Sequence, residues 1–276
     1  MSLTITLLGT GNPIPDALRA GPSTLVAGTG TTVLVDCGRG VVQRLVAAGV
    51  FPPMLDAVLV THLHSDHITD LNDVITTHWV MTMQPTPLRI YGPPGIGAVV
   101  DAILASLAPD VSYRLAHHED LTWEPLLEVT EVEAGASFTV GAASVTVGRT
   151  NHFPVEPAIG FRFDQEGASV AIAGDSVPCE GLDALCAGAD AYVQTVIRDD
   201  LVKLIPFPRL QDILDYHSSV TDAAQTAARA GVGTLVLTHY VPAPAPDSLP
   251  EWVAIAAEHF AGPIVAGDDL TTVTVP

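Results

Sequence analysis

The sequence predicts an α/β protein of layered sheets and helices, and three observations carry that expectation. Short runs rich in branched apolar residues alternate along the chain with segments of helical spacing. Several of those runs stop abruptly on a histidine or an aspartate, as strands do in open layered sheets that place their chemistry at the carboxyl ends. The 276 residues are 48% hydrophobic and only 15% charged, enough to bury a large core and too apolar for a disordered chain.

Leu3 to Leu8 reads as an opening strand, turned by Gly9-Thr10-Gly11-Asn12-Pro13. Thr31 to Val35 is another, ending in Asp36-Cys37-Gly38-Arg39-Gly40. Val41 to Ala48 follows as a helix with Val42, Leu45 and Val46 on one face and Gly49 as its stop. The strand Asp56 to Val60 comes next, then helical spacing over Ile68 to Val80, where His78 reads as structural or as a solvated tip. Leu88 to Tyr91 is a short strand broken by Gly92-Pro93-Pro94-Gly95, and a helix is expected around Ala98 to Leu107. Pro109 to Ala136 is acidic and irregular; it holds His117 and His118, which no apolar strand delivers. Phe138 to Val140 and Ser144 to Val147 flank Gly141-Ala142-Ala143 as a hairpin, and Ile159 to Phe163 and Ser169 to Ala173 continue the strands. Ser219-Val220-Thr221-Asp222 spells a helix N-cap with an acid three positions on, before Ala223 to Ala230 and Gly231. Thr234 to Thr238 is a further strand, and the proline-rich Val241 to Pro250 an irregular loop. No linker, repeat or low-complexity tract interrupts the chain, so residues 1–276 read as one domain.

The densest chemistry is His62-Leu63-His64-Ser65-Asp66-His67, directly after the Asp56 to Val60 strand. Alternate residues of an extended segment project to one side, so His62 and His64 close on one ion as a chelating pair. Asp66 and His67, in the following turn, face a second. Neutral imidazole and carboxylate are ligand types that suit zinc. Two other apolar runs copy this logic, Ser169 to Ala173 leading to Asp175 and Thr234 to Thr238 leading to His239; His152 follows the hairpin strand. With the cluster these make seven ligands, enough for two ions sharing a bridging carboxylate.

The formal net charge of −20 works against sequence-independent attraction to nucleic acid or to an anionic membrane, and bound divalent cations would offset part of it locally. No apolar stretch is expected to reach the length of a bilayer crossing, and no basic-then-apolar leader opens the chain. Cys37, Cys179 and Cys186 make no disulfide framework, which points to the cytoplasm and to cysteines serving as small buried hydrophobes.

The order His62-x-His64-x-Asp66-His67, His152, Asp175, His239 resembles the metallo-β-lactamase superfamily. That resemblance implies a four-layer αββα sandwich of two similar halves. It further implies one zinc held by His62, His64 and His152, a second held by Asp66, His67 and His239, and Asp175 bridging them; manganese or iron would fit the same ligands. Other segments resemble the ribonuclease Z family, which removes 3′ trailers from precursor tRNA: Leu8-Gly9-Thr10-Gly11 with Arg19 and Ser23, Asp36-Cys37-Gly38, Ala173 to Cys179, and Tyr216-His217-Ser218-Ser219. Three departures stand against these matches. The family's basic arm between the histidine and aspartate ligands is missing, Gln194-Thr195 stands where the family carries an acid, and the chain is strongly acidic.

The resemblance thus implies a homodimeric, dinuclear zinc phosphodiesterase that cuts precursor tRNA endonucleolytically, leaving a 3′-hydroxyl and a 5′-phosphate. Asp66 would act as ligand and general base, and His217 as hydrogen-bond donor or acid at the leaving 3′-oxygen. Arg19 and Arg39 are candidate phosphate contacts. The alternatives are a hydrolase of small or cyclic phosphodiesters, arylsulfate esters or lactones on the same site, and a fold relic that binds without turnover.

Overall fold

In the computed structural model, which describes residues 2–276, fourteen strands pair into two seven-stranded sheets. The first sheet contains β1 (Leu3–Gly9), β2 (Ser23–Gly28), β3 (Thr31–Val35), β4 (Ala57–Leu59), β5 (Leu88–Gly92), β6 (Leu127–Glu131) and the last strand of the chain, β14 (Thr271–Val275), in the order β14-β1-β2-β3-β4-β5-β6. The second contains β7 (Ser137–Val140), β8 (Ala143–Arg149), β9 (Ile159–Gln165), β10 (Ala168–Ile172), β11 (Ala191–Ile197), β12 (Thr234–Val241) and β13 (Ile264–Ala266), in the order β13-β12-β11-β10-β9-β8-β7. From β14 to β3, and again from β7 to β10, the pairings are antiparallel. From β3 to β6, and again from β10 to β13, they are parallel. The same pattern laid down twice makes the two similar halves that the ligand order implies.

Burial on both faces explains why the strands read as continuous apolar runs. Val33 and Val35 of β3 point between the sheets while Leu34 points outward, and in β10 Val170 and Ile172 face inward while Ala171 faces outward. The inter-sheet core, with Leu7, Phe161 and Phe163, is therefore flanked by two further cores. Leu34, Val58 and Ile90 of the first sheet pack against α1 (Val41–Ala47), α3 (Leu71–Met81) and α4 (Ile96–His117), while Ala171, Tyr192 and Leu235 of the second pack against α5 (Glu180–Cys186), α8 (Val220–Ala230) and α9 (Leu249–Ala257). Helix, sheet, sheet, helix gives four layers.

Three differences from the sequence reading have local causes. The helical spacing over Ile68 to Val80 splits into α2 (Ser65–Ile68) and α3, because the Asp70 carboxylate accepts from the Gly40 amide and its own amide donates to the Cys37 carbonyl at 3.0 Å. Helix α4 runs straight through Pro109 to His117 instead of stopping near Leu107. It is largely exposed there, so water can serve the carbonyl that proline strands, and the Asp110–Arg114 pair at 2.8 Å braces the far side. At 22 residues α4 is also long and apolar enough to meet the length criterion for a membrane span, contrary to the expectation that no stretch does; here Ile96 and Val100 anchor it on the first sheet. The capping box at α8 forms as spelled, Ser219 and Asp222 each accepting from the other's amide at 2.9–3.0 Å.

Phe163 is fully buried between the sheets. Phe163→Ala is expected to cost about 3–5 kcal/mol of unfolding free energy, read as a lower urea midpoint at unchanged slope.

Candidate metal centre

The predicted ligands arrive on segments that follow strands, except His239, which lies inside one. His62 and His64 follow β4, Asp66 and His67 lie on α2, His152 follows β8, Asp175 follows β10, and His239 sits within β12. The side chains form two groups, His62, His64, His152 and Asp175, and Asp66, His67 and His239; within each group the ligand atoms all lie within 4.8 Å of one another. Asp175, 2% exposed, is the common point. Its Oδ2 lies 3.1 Å from His217 Nε2, 3.5 Å from His67 Nε2, 3.6 Å from His239 Nε2, 3.8 Å from His152 Nε2 and 3.9 Å from His62 Nε2.

Hydrogen bonds fix which nitrogen of each ring faces inward. His152 Nδ1 donates to the Tyr216 carbonyl at 2.8 Å, leaving the Nε2 lone pair free. His67 Nδ1 donates to Asp36 Oδ2 at 2.8 Å, which leaves its buried Nε2 without a protein hydrogen-bond partner. Thr61 Oγ1 donates to Asp36 at 2.9 Å and so accepts from His62 Nδ1 at 3.1 Å, again turning a lone pair inward. His62 Nε2 and His152 Nε2 each approach His64 Nδ1 to 3.1 Å. Two inward lone pairs on one His64 nitrogen, which carries at most one proton, make a donor set that suits a divalent cation. In the second group the buried Nε2 of His67, which has no hydrogen-bond partner among the described residues, faces the Asp175 carboxylate at 3.5 Å, and His239 Nε2 lies 3.2 Å from Asp66 Oδ2. The residues fit the metal that the ligand order implies.

Burial holds His62 well below the ordinary imidazole range and brings His152 down to about 4, so both stand neutral, ready to ligate. Burial pulls on His67 and His239 in the same direction, but Asp175 outweighs it, helped by Asp36 at His67 and by Asp66 at His239, and both end above the ordinary range. Burial would raise Asp175, yet His239, His67 and His217 hold it well below the usual carboxylate range. Asp66 is lowered against the same burial, chiefly by its hydrogen bond with His239.

Two residues unassigned by the sequence reading support the ligands. Asp36 joins His67 to Thr61 and so orients both ligand-bearing segments. Thr195 Oγ1 lies 2.8 Å from Asp175 Oδ1 and equally close to the Gly174 carbonyl, beneath the shared carboxylate. Only the aspartate ending β3 gave a sequence signal, because it copies the strand-to-acid pattern of Asp175. Asp36 and His239 both hold positive φ, 63° and 48°, conformations costing on the order of 1–3 kcal/mol that persist where surroundings over-determine them. Gly174 is required by space: a Cβ there would lie 2.7 Å from Thr61 Oγ1.

The remaining candidates fall elsewhere. Arg19 is engaged structurally: it binds Thr10 Oγ1 at 2.6 Å and Asp268 at 2.5 Å, with its guanidinium over the Tyr240 ring, so it braces the strand that carries His239. Arg39 is exposed and has no ion pair among the described residues. His78 is buried in α3; His117 and His118 lie exposed at the end of α4, and they and the cysteines join neither ligand group.

A family profile described as a Beta-lactamase superfamily domain matches residues 31–240. The chain is 56% identical over 273 residues to Ribonuclease Z of Mycolicibacterium gilvum (strain PYR-GCK), covering 98% of this chain and 96% of that one. It is 57% identical over 273 residues to Ribonuclease Z of Mycobacterium avium (strain 104), covering 98% of each. Among solved structures, human tRNase Z, short form, superposes with a TM-score of 0.71 at 23% identity over 99% of each chain. The metallo-β-lactamase fold protein YhfI from Bacillus subtilis gives 0.77 at 22% identity over 99% of each.

Metal ligands must be deprotonated, so loading the centre should release protons at neutral pH, chiefly from His67 and His239 and not from His62 or His152. Titration calorimetry in buffers of different ionisation enthalpy reads that release, and affinity should fall as pH drops through the raised values. Asp36→Asn should weaken metal retention roughly 10–100-fold in chelator competition.

Proposed function

This chain belongs to the ribonuclease Z family of the β-lactamase superfamily, and from that premise we propose that it removes the 3′ trailer of precursor tRNA endonucleolytically, leaving a 3′-hydroxyl and a 5′-phosphate. The observation that carries the reading is the assembly of all seven family ligands, with His217 in contact with the shared Asp175, in a chain matching mycobacterial ribonuclease Z sequences end to end.

Held by His62, His64, His152 and Asp175 and by Asp66, His67 and His239, two divalent ions would supply an activated water near neutral pH and would offset charge developing at phosphorus. The chain's own groups do the rest. Asp66, held ionised beside His239, is the acceptor for the proton of the attacking water. His217 donates Nδ1–H to the Ile213 carbonyl at 3.2 Å, so its Nε2 points into the centre at 3.1 Å from Asp175 and can deliver a proton to the leaving 3′-oxygen or a phosphoryl oxygen. Arg39, which has no ion pair among the described residues and lies two residues from Cys37, whose amide binds the His67 carbonyl at 2.7 Å, is our candidate for a phosphate contact.

Zinc is the metal we assign, on the strength of an all-imidazole and carboxylate donor set, with manganese or iron as substitutes. Three unpaired cysteines support our reading of a cytoplasmic location, and the family resemblance supports that of a homodimer. We read residues 1–276 as one unit without an exosite arm, a reading supported by the short stretch from His152 to Asp175, in which β9 and β10 are joined by Glu166-Gly167 alone.

Metal-loaded protein should cut a trailer-bearing precursor tRNA just after the discriminator base. His217→Ala should lower kcat roughly 10²–10⁴-fold with the metal content unchanged. Turnover of bis(p-nitrophenyl) phosphate beside an intact precursor would overturn the tRNA reading in favour of a small-diester hydrolase.

A further inference from the structure

A second cleft, of about 470 Å³, opens beside the metal centre. Its polar lining is Glu133, Arg149, Thr150 and Glu156, and Pro94 and Ile159 are among its apolar walls. Two links place it against the ligands. Thr150 lies two residues before His152, and the Ile159 amide donates at 3.0 Å to the carbonyl of Thr61, the neighbour of His62.

Three features indicate what enters. Thr150 is 4% exposed, and its buried hydroxyl has no hydrogen-bond partner among the described residues, an arrangement that folded proteins keep rare. Arg149 and Glu156 meet only at 3.7 Å with side chains 75% and 59% exposed, so the pair holds weakly and is free to re-pair with a guest. Two carboxylates against one guanidinium repel a phosphate. They suit a neutral ring that offers N–H donors to the carboxylates and a ring acceptor to the arginine.

We propose that this cleft receives the base of a nucleotide adjoining the scissile phosphodiester and selects bases that carry an exocyclic amine. Cytosine, adenine and guanine present such an amine to Glu133 or Glu156, whereas uracil turns carbonyl oxygens toward them and leaves the carboxylates unpaired. The inference rests on the RNA-cleaving function proposed above.

The test is a set of precursor tRNAs identical except at the nucleotide on either side of the cut, compared by kcat/KM. Wild type should favour an amine-bearing base over uracil at one of the two positions by roughly five- to 150-fold, the value of one good base-edge pair. In Glu133→Gln/Glu156→Gln each amide both donates and accepts, so that ratio should fall toward one. Because the ratio is taken within one preparation, a fall in the active fraction leaves it unchanged. Wild type cutting all substrates equally, or the double variant keeping the preference, overturns the cleft assignment while leaving the functional reading intact. Failure of wild type to cut any precursor overturns that reading and the cleft with it.

Discussion

The site depends on a single buried carboxylate. Moving an ion the size of Asp175 from water into a protein interior costs several kcal/mol after relaxation, and the imidazoles of His67, His217 and His239 and the Thr195 hydroxyl, all within 3.6 Å, offset that cost. The dependence is mutual. Without the carboxylate, His67 and His239 lose the charge that raises their proton affinity, and the two ligand groups lose the atom that joins them. The strands supply the approach: β4, β8, β10 and β12 end or bend at one rim, and Gly174 lets the chain pass close enough to Thr61 for Asp175 to reach inward.

An acidic protein acting on RNA must find its attraction locally. Most of the eleven basic residues are taken up in internal ion pairs, and among the described residues only Arg39, Arg89 and Arg209 have none. Binding carried by few lysine or arginine contacts to phosphate releases few counterions, so affinity should depend on salt less steeply than for a basic binder. The burden passes to the metal centre and to shape.

Legibility followed the range of the interaction. The His62 to His67 cluster was readable because its ligands are close in sequence, and Asp175 and His239 because buried strands announce themselves by composition. The Ser219 box is likewise local. Thr195 was opaque: its role comes from β11 lying beside β10, a pairing between segments twenty residues apart. Arg19 misled for the complementary reason, since a lone arginine in a loop does not reveal that Asp268, far along the chain, has claimed it. Pro109 misled because a local rule about proline was overridden by an exposed face and an ion pair.

The two ligand groups also straddle the seam of the molecule. His62, His64, Asp66 and His67 come from the half built on β1 to β6, while His152, Asp175 and His239 come from the half built on β7 to β13. Each group therefore draws on both halves, and a cation in either is a rivet between them as well as a reagent. By linkage, an ion at a thousand times its dissociation constant adds about 4 kcal/mol to the folded state, comparable to the whole margin of many proteins. Scarcity of metal thus withdraws catalytic competence and mechanical cohesion together, and idle copies are also the ones most open to proteolysis.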